Sequence, residues 1–78
     1  MQETKEYDRF TFLTANRPVQ RNHVNKLKKS LSEYGFLESQ PITVTNDYKI
    51  LDGQHRFIAC KEMGIPIKYV QVDTKKNG

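Results

Sequence analysis

Residues 50–64, reading ILDGQHRFIACKEMG, gather the side chains best suited to chemistry into one short run. Asp52 and Gly53 are followed at once by Gln54, His55 and Arg56, so a carboxylate, a glycine, an amide, an imidazole and a guanidinium stand at consecutive positions. Tyr48, Ile50 and Leu51 ahead of them form a short apolar strand, and residues 54–63 form a helix that stops at Gly64. A strand entering a helix through Asp-Gly leaves the first backbone N–H groups of the helix without carbonyl partners, at the positive end of its dipole. Such a junction binds anions, and Gly53 would let a ligand approach the backbone with no Cβ in the way. His55 and Arg56 add two donors, and only the guanidinium is permanently charged; the imidazole becomes a second cation below pH ~6.5. Asp52 is placed to cap the helix or to hold a basic side chain or a hydroxyl. The chemistry predicted is the holding of a phosphate-bearing ligand. The alternative is plain turn chemistry, since Asp-Gly is a frequent turn dipeptide. Three polar residues directly ahead of Phe57, Ile58, Ala59 and Cys60 are more than a turn requires.

The elements that must position this run follow from periodicity. Residues 10–13 (Phe10, Thr11, Phe12 and Leu13) are aromatic and β-branched, and predict a first strand. Residues 14–18 are a loop, because Pro18 forces Arg17 out of the helical region. Residues 22–34 are the clearest helix: Val24, Leu27, Leu31 and Tyr34 draw one apolar stripe, Asn22 is a candidate N-cap, and Gly35 supplies a left-handed residue after the end. Lys26, Lys28 and Lys29 fall mostly off the stripe, with Arg21 and His23 near its start. That basic face could lie along a nucleic-acid backbone, though a solvated face is the more usual reason for such lysines. Phe36 and Leu37 pack as the chain leaves the helix. Pro41 to Thr45 alternate as a strand, Asn46-Asp47 turns, and residues 48–51 return as a hairpin that delivers the central run. After Gly64, Ile65-Pro66 turns the chain and residues 67–72 form a last strand. Residues 1–9 and 73–78 are polar and predict ragged ends, with Tyr7 tucked back. The result is one domain of α+β class: a small mixed β-sheet with two main helices.

Composition bounds the rest. At 78 residues, with 36% hydrophobic and 28% charged residues, the chain predicts a small globular core. No run approaches the roughly 18 apolar residues of a membrane helix, and no signal-peptide core follows Met1. The single cysteine cannot close an internal disulfide, which points to a reducing compartment and makes the cytoplasm the expected location. Cys60 lies on the apolar part of its helix and is expected to be a small buried residue. His23 has no Cys or second His at ligand spacing, so no metal site is expected. A formal charge of +4 favours anionic partners without choosing among them.

GQHRFIACKEMG resembles the central motif of the ParB/sulfiredoxin superfamily, a glycine-led G-x-x-R-x-x-A box after a strand, with a helix ending in Gly. Gly53, Arg56, Ala59, Lys61 and Gly64 fall where a ParB N-terminal domain, also called a ParB-like nuclease domain, would have them. Upstream, Asn16-Arg17-Pro18, the helix around Leu27 to Leu31, Tyr34-Gly35-Phe36-Leu37 and Gln40-Pro41-Ile42 come in the family's order. The resemblance spans roughly residues 10–72 and implies a ParB-like fold with a nucleotide site at the central run. It adds Arg17 as a phosphate contact, Gln40 as a site residue and Glu38 as a candidate carboxylate. The cofactor it implies is CTP or ATP with Mg2+, and the partners are nucleotide, DNA, or both, with a homodimer in the full-length protein.

Departures from the pattern narrow the family reading. Sulfiredoxin-type enzymes carry a reactive cysteine where this chain has Gln54, so sulfur chemistry is rejected; Cys60 is two turns too far along. ParB clamps carry an acidic residue and two arginines after the glycine, where this chain has Gln54, His55 and Arg56, and a further arginine at the position of Ile58. A neutral histidine is a poorer triphosphate ligand than arginine. Asp-Gly-x-His-Arg also resembles kinase-type relatives, in which Asp52 would face a metal or hydroxyl and Glu38 would be the general base. Three readings stay open. The leading one is a phosphate-binding module of a DNA-maintenance, partition or transcription-regulating protein, in a longer chain or in a free-standing phage or mobile-element relative. The second is a nuclease or nucleotide-dependent phosphotransferase with Asp52 and Glu38 as candidate catalytic residues. The third is a protein-interaction domain with a decayed site.

Overall fold

Ile42 and Val44 are wholly buried while Thr43 between them is only half-buried, the period of two expected of a strand with one face on a core. That strand is the centre of a mixed sheet in the computed structural model, which describes residues 2–12, 18–36 and 40–73. Among the described residues the strands are β1 (Gln2–Thr4), β2 (Thr11–Phe12), β3 (Ile42–Thr45), β4 (Lys49–Asp52) and β5 (Ile67–Val72), in spatial order β1-β5-β3-β4-β2. The β1–β5 and β3–β4 pairs are antiparallel, and the β3–β5 and β2–β4 pairs are parallel. Two helices, α1 (Arg21–Tyr34) and α2 (Gln54–Met63), complete the α+β architecture that the periodicity predicts. α2 packs on β3 and β5, and α1 lies against α2.

One core joins all of these elements. Val24 and Leu31 of α1, Ile42, Val44, Ile50 and Ile67 of the sheet, and Phe57, Ala59 and Cys60 of α2 are buried together with Phe10 and Tyr69. Each fully buried Ile or Val contributes roughly 1.5–3 kcal/mol relative to its exposed state. Leu27, between the buried Val24 and Leu31, is only partly buried because it also lines the cleft described below. The phenyl ring of Phe57 is met by Phe10, Phe12 and Tyr7, so aromatic edges from the N-terminal segment brace the middle of α2.

Local chemistry departs from the sequence pattern at several places. Residues 2–9 are ordered: β1 adds an edge strand to β5, a 3-10 turn covers Tyr7–Arg9, and the Tyr7 hydroxyl donates to the Ile65 carbonyl at 2.6 Å. α1 starts one residue ahead of Asn22, whose side chain therefore lies within the first turn; the N-cap is Gln20, and no side chain caps it. Tyr34 does not continue the buried stripe but stands 72% exposed, since the last turn of α1 runs past the core. Gly35 has φ 75° but ψ −173°, an extended left-handed-side conformation rather than the αL cap expected there. Tyr48 does not begin the strand; it sits at φ 65° and ends the Asn46-Asp47 turn, with β4 starting at Lys49. Residues 13–17, 37–39 and 74–78, on which several of the sequence expectations fall, lie outside the described residues.

Candidate functional site

The end of β4 is bent by a bulge. Val44 pairs with Ile50 but Thr43 pairs with Asp52, so Leu51 is an extra residue between two ladder positions. The bulge leaves Leu51 partly exposed and sets Asp52 and Gly53 at the mouth of α2. Gly53 holds φ 92°, ψ 23° and is the N-cap; its carbonyl accepts from Phe57 N–H at 2.9 Å, the first bond of the helix. The His55 and Arg56 N–H groups precede that bond and have no carbonyl one turn back. No side chain caps α2, and no acidic residue occupies its first turn. Asp52 therefore does not take the capping role open to it in the sequence.

The glycine has a packing role that its sequence context does not suggest. A Cβ at Gly53 would lie 2.9 Å from Arg56 Nη1, 3.1 Å from Ile42 Cγ1 and 3.3 Å from Ile42 Cα. The missing side chain makes room for Arg56 and for β3. Arg56 folds back over this gap, and its Nε and Nη1 are buried without a hydrogen-bond partner. An unpaired buried donor costs roughly 1–3 kcal/mol, and more when the group is charged. Such an orphan calls for a partner outside the protein's own hydrogen bonds.

The second wall of the site comes from the start of α1, which the sequence does not bring to the central run. Pro18, Gln20, His23 and Leu27 face Leu51, Asp52, Gly53, Gln54, His55 and Arg56 across a cleft of about 650 Å³, with Gln40 at its side. That volume lies within the usual range of small-molecule sites, roughly 300–1,000 Å³. Gln20 N–H donates to His55 Nε2 at 3.0 Å, and the rings of His23 and His55 stack with centroids 4.4 Å apart and planes 24° apart. Burial, and then the neighbouring His23, push the His55 pKa below its ordinary value. α1 also lacks a side-chain cap and an acidic first turn. The starts of two helices thus converge on one cleft beside the buried, unpartnered Nε and Nη1 of Arg56.

Of the residues singled out in the sequence, Gln40, Asp52, Gly53, Gln54, His55 and Arg56 come together here. Arg17 and Glu38 lie outside the described residues. Pro18, Gln20, His23, Leu27 and Leu51 join the cleft without having been singled out for it. The basic side chains of α1 do not form one free face: Arg21 makes a two-pronged bond to Glu62 at 2.8 and 2.6 Å, and Lys28 reaches the same carboxylate at 2.7 Å. Those three donors hold the Glu62 carboxyl down to about 2. Lys26 and Lys29 remain exposed. Cys60 is wholly buried, and burial pushes its thiol up to about 11. Among the described residues no three His, Cys, Asp or Glu side chains cluster as a metal site, and no helix is long and apolar enough to cross a membrane.

Residues 10–77 match the family model of the ParB N-terminal domain. No curated protein matches the chain, and no solved structure does.

Proposed function

The chain belongs to the ParB N-terminal domain family, and we propose that it holds the phosphate groups of a nucleotide, as a module of a protein of DNA maintenance, partition or transcriptional regulation. The observation that carries this reading is Arg56, whose Nε and Nη1 are buried without a partner beside the open start of α2. A fixed helix dipole and a planar charged fork together suit a phosphate better than any other common group. The start of α1 adds a second positive dipole end from the opposite wall.

A nucleotide with Mg2+ fits these residues. The N–H groups of His55 and Arg56 and the Arg56 guanidinium would hold phosphate oxygens. Asp52, the one carboxylate lining the cleft among the described residues, would meet the metal, and the Gln20 and Gln40 amides are available to a base or sugar. When bound, the metal would neutralise phosphate charge. The chain's own part is to orient the phosphates and to exclude water from the buried face of Arg56. A buried thiol at Cys60 fits work in a reducing compartment such as the cytoplasm.

The test is a titration of the protein with CTP, ATP, ADP and duplex DNA, following the backbone amides of residues 53–57. Arg56→Ala should weaken nucleotide binding by about 1.5–3 kcal/mol, roughly 10- to 150-fold. Arg56→Lys should recover only part of that loss, because a point charge lacks the planar fork. If Arg56→Ala binds every ligand as tightly as the parent, the site lies elsewhere.

A further inference from the structure

His55 accepts a hydrogen bond at Nε2 from the backbone N–H of Gln20. A backbone amide nitrogen can only donate, so Nε2 carries no proton, and a neutral imidazole must then carry its proton on Nδ1. Nδ1 is therefore the one hydrogen-bond donor this ring can offer a ligand. His23 covers one face of the ring and brings a second titratable group against it. Both rings line the cleft.

We propose that His55 sets the specificity of the cleft as a neutral Nδ1–H donor, fixed in that tautomer by the Gln20 N–H and braced by His23, so that it selects a ligand atom that only accepts, such as a phosphate or sulfate oxygen. This rests on the phosphate-site reading above and adds to it the state of the imidazole. A site of neutral donor plus one guanidinium rejects ligands that would present an N–H at that point, since two donors would then face each other.

The same geometry opposes a second proton. It would have to enter at Nε2, directly against the Gln20 N–H, and the tie between the starts of α1 and α2 would break. The groups around the ring point the same way. His23 comes from α1 and Arg56 from α2, and either one, when charged, disfavours a charge on His55; Asp52 at the end of β4 favours it. Arg21 and Lys28, also on α1, are already paired with Glu62. Burial and His23 hold the His55 pKa below its ordinary value in agreement with this balance. Lowering the pH therefore loosens one wall of the cleft instead of merely supplying a second cation.

Protein labelled with 15N in its histidines, observed through long-range 1H–15N couplings at pH 7.5, reads the tautomer directly. Sulfate is the probe anion because its charge does not change over the pH range of histidine. His55 should show a protonated Nδ1 and a bare Nε2 with and without sulfate, and sulfate should shift that Nδ1 resonance together with the amides of residues 53–57. His23→Phe keeps a ring against His55 but removes the titrating neighbour, so the His55 titration should move up toward its ordinary value; no movement would remove His23 from the arrangement. His23→Ala should weaken sulfate binding about 2- to 5-fold, and if that variant does not fold, the Phe variant carries the test. An Nε2–H tautomer, or an imidazolium at pH 7.5 with sulfate bound, overturns the proposal while leaving the phosphate site standing. The expected tautomer with no sulfate response at residues 53–57 overturns the phosphate reading instead, and the recognition role of His55 with it.

Discussion

Gly53→Ala separates two reasons for a glycine, and Gly64→Ala is its control. Both positions have positive φ, 92° at Gly53 and 73° at Gly64, and both carry the αL conformation at a helix end. An L-residue in that region costs roughly 1–2 kcal/mol. At Gly64 an added Cβ meets nothing within 4 Å, so the backbone term stands alone. At Gly53 the same Cβ lies 3.1 and 3.3 Å from Ile42, whose backbone belongs to the central strand, and 2.9 Å from Arg56 Nη1. The guanidinium can swing away but β3 cannot, and overpacking of this kind adds about 1–3 kcal/mol. Gly64→Ala should therefore lose about 1–2 kcal/mol and Gly53→Ala about 2–5 kcal/mol. For a domain of this size each 1 kcal/mol is roughly 4–8 °C in Tm. Urea unfolding with unchanged m-values gives the comparison. Sulfate or nucleotide titration adds the second half: only Gly53→Ala displaces Arg56, so only it should also lose anion affinity. If the two variants unfold within about 0.5 kcal/mol of each other, the close approach at Gly53 is not what requires the glycine.

Glu62 gives a pH dependence with a definite sign. Its carboxyl titrates at about 2 in the fold and near 4.5 when unfolded, so its stabilisation is complete above 4.5 and fades as the pH falls toward 2. Glu62→Gln should lower Tm at pH 7 and the gap from the parent should close progressively below pH 4.5; a gap that does not change with pH would refute the ion-pair account. Cys60 should react with thiol reagents only as fast as the protein opens, because its thiol is wholly buried and pushed up to about 11. Cys60→Ala should keep fold and ligand binding, and fast labelling of native protein with loss of binding would mean a working thiol. Replacing Lys26 and Lys29 by Gln should leave duplex-DNA affinity almost unchanged; if these lysines neutralise phosphates, the salt slope should shrink by roughly one unit for each lysine replaced.

What the sequence made legible was whatever local chemistry decides. α2 runs over residues 54–63, between the Asp-Gly start and the Gly64 stop, and β5 over residues 67–72 as expected, and Gly64 ends α2 in the αL conformation. The hairpin of β3 and β4 follows from its alternation and the Asn46-Asp47 turn. β1 was not legible, because Gln2-Glu3-Thr4 has no apolar alternation; it is a strand only through its pairing with β5, at the far end of the chain. The cleft was half legible. Its α2 wall is contiguous in the chain, from Asp52 to Arg56. Its α1 wall depends on how the two helices cross, and nothing near His23 announces a ring stacked on it from residue 55. The bulge at Leu51 is similarly invisible, since a one-residue slip leaves no mark on an apolar strand pattern.

The helix starts show why these pieces belong to one site. A side-chain cap stabilises a helix by about 0.5–2 kcal/mol, and acidic residues in the first turn add a few tenths more. α1 and α2 have neither: the close approach at Gly53 leaves no room for a capping side chain on α2, while an acidic first turn would need only one substitution in either helix. In a 78-residue chain, whose whole stability is on the order of 4–12 kcal/mol, two missing caps are a large fraction. Elsewhere the fold makes full use of local pairing: Glu62 takes three donors, Thr45 serves the turn through its hydroxyl, and Tyr7 ties down Ile65. The two uncapped starts are the exceptions, and they face each other across the same cleft, next to the one described side chain with buried nitrogens that find no partner. Local rules broken independently would scatter over the surface. Broken together at one place, they are the features on which the proposed anion site rests.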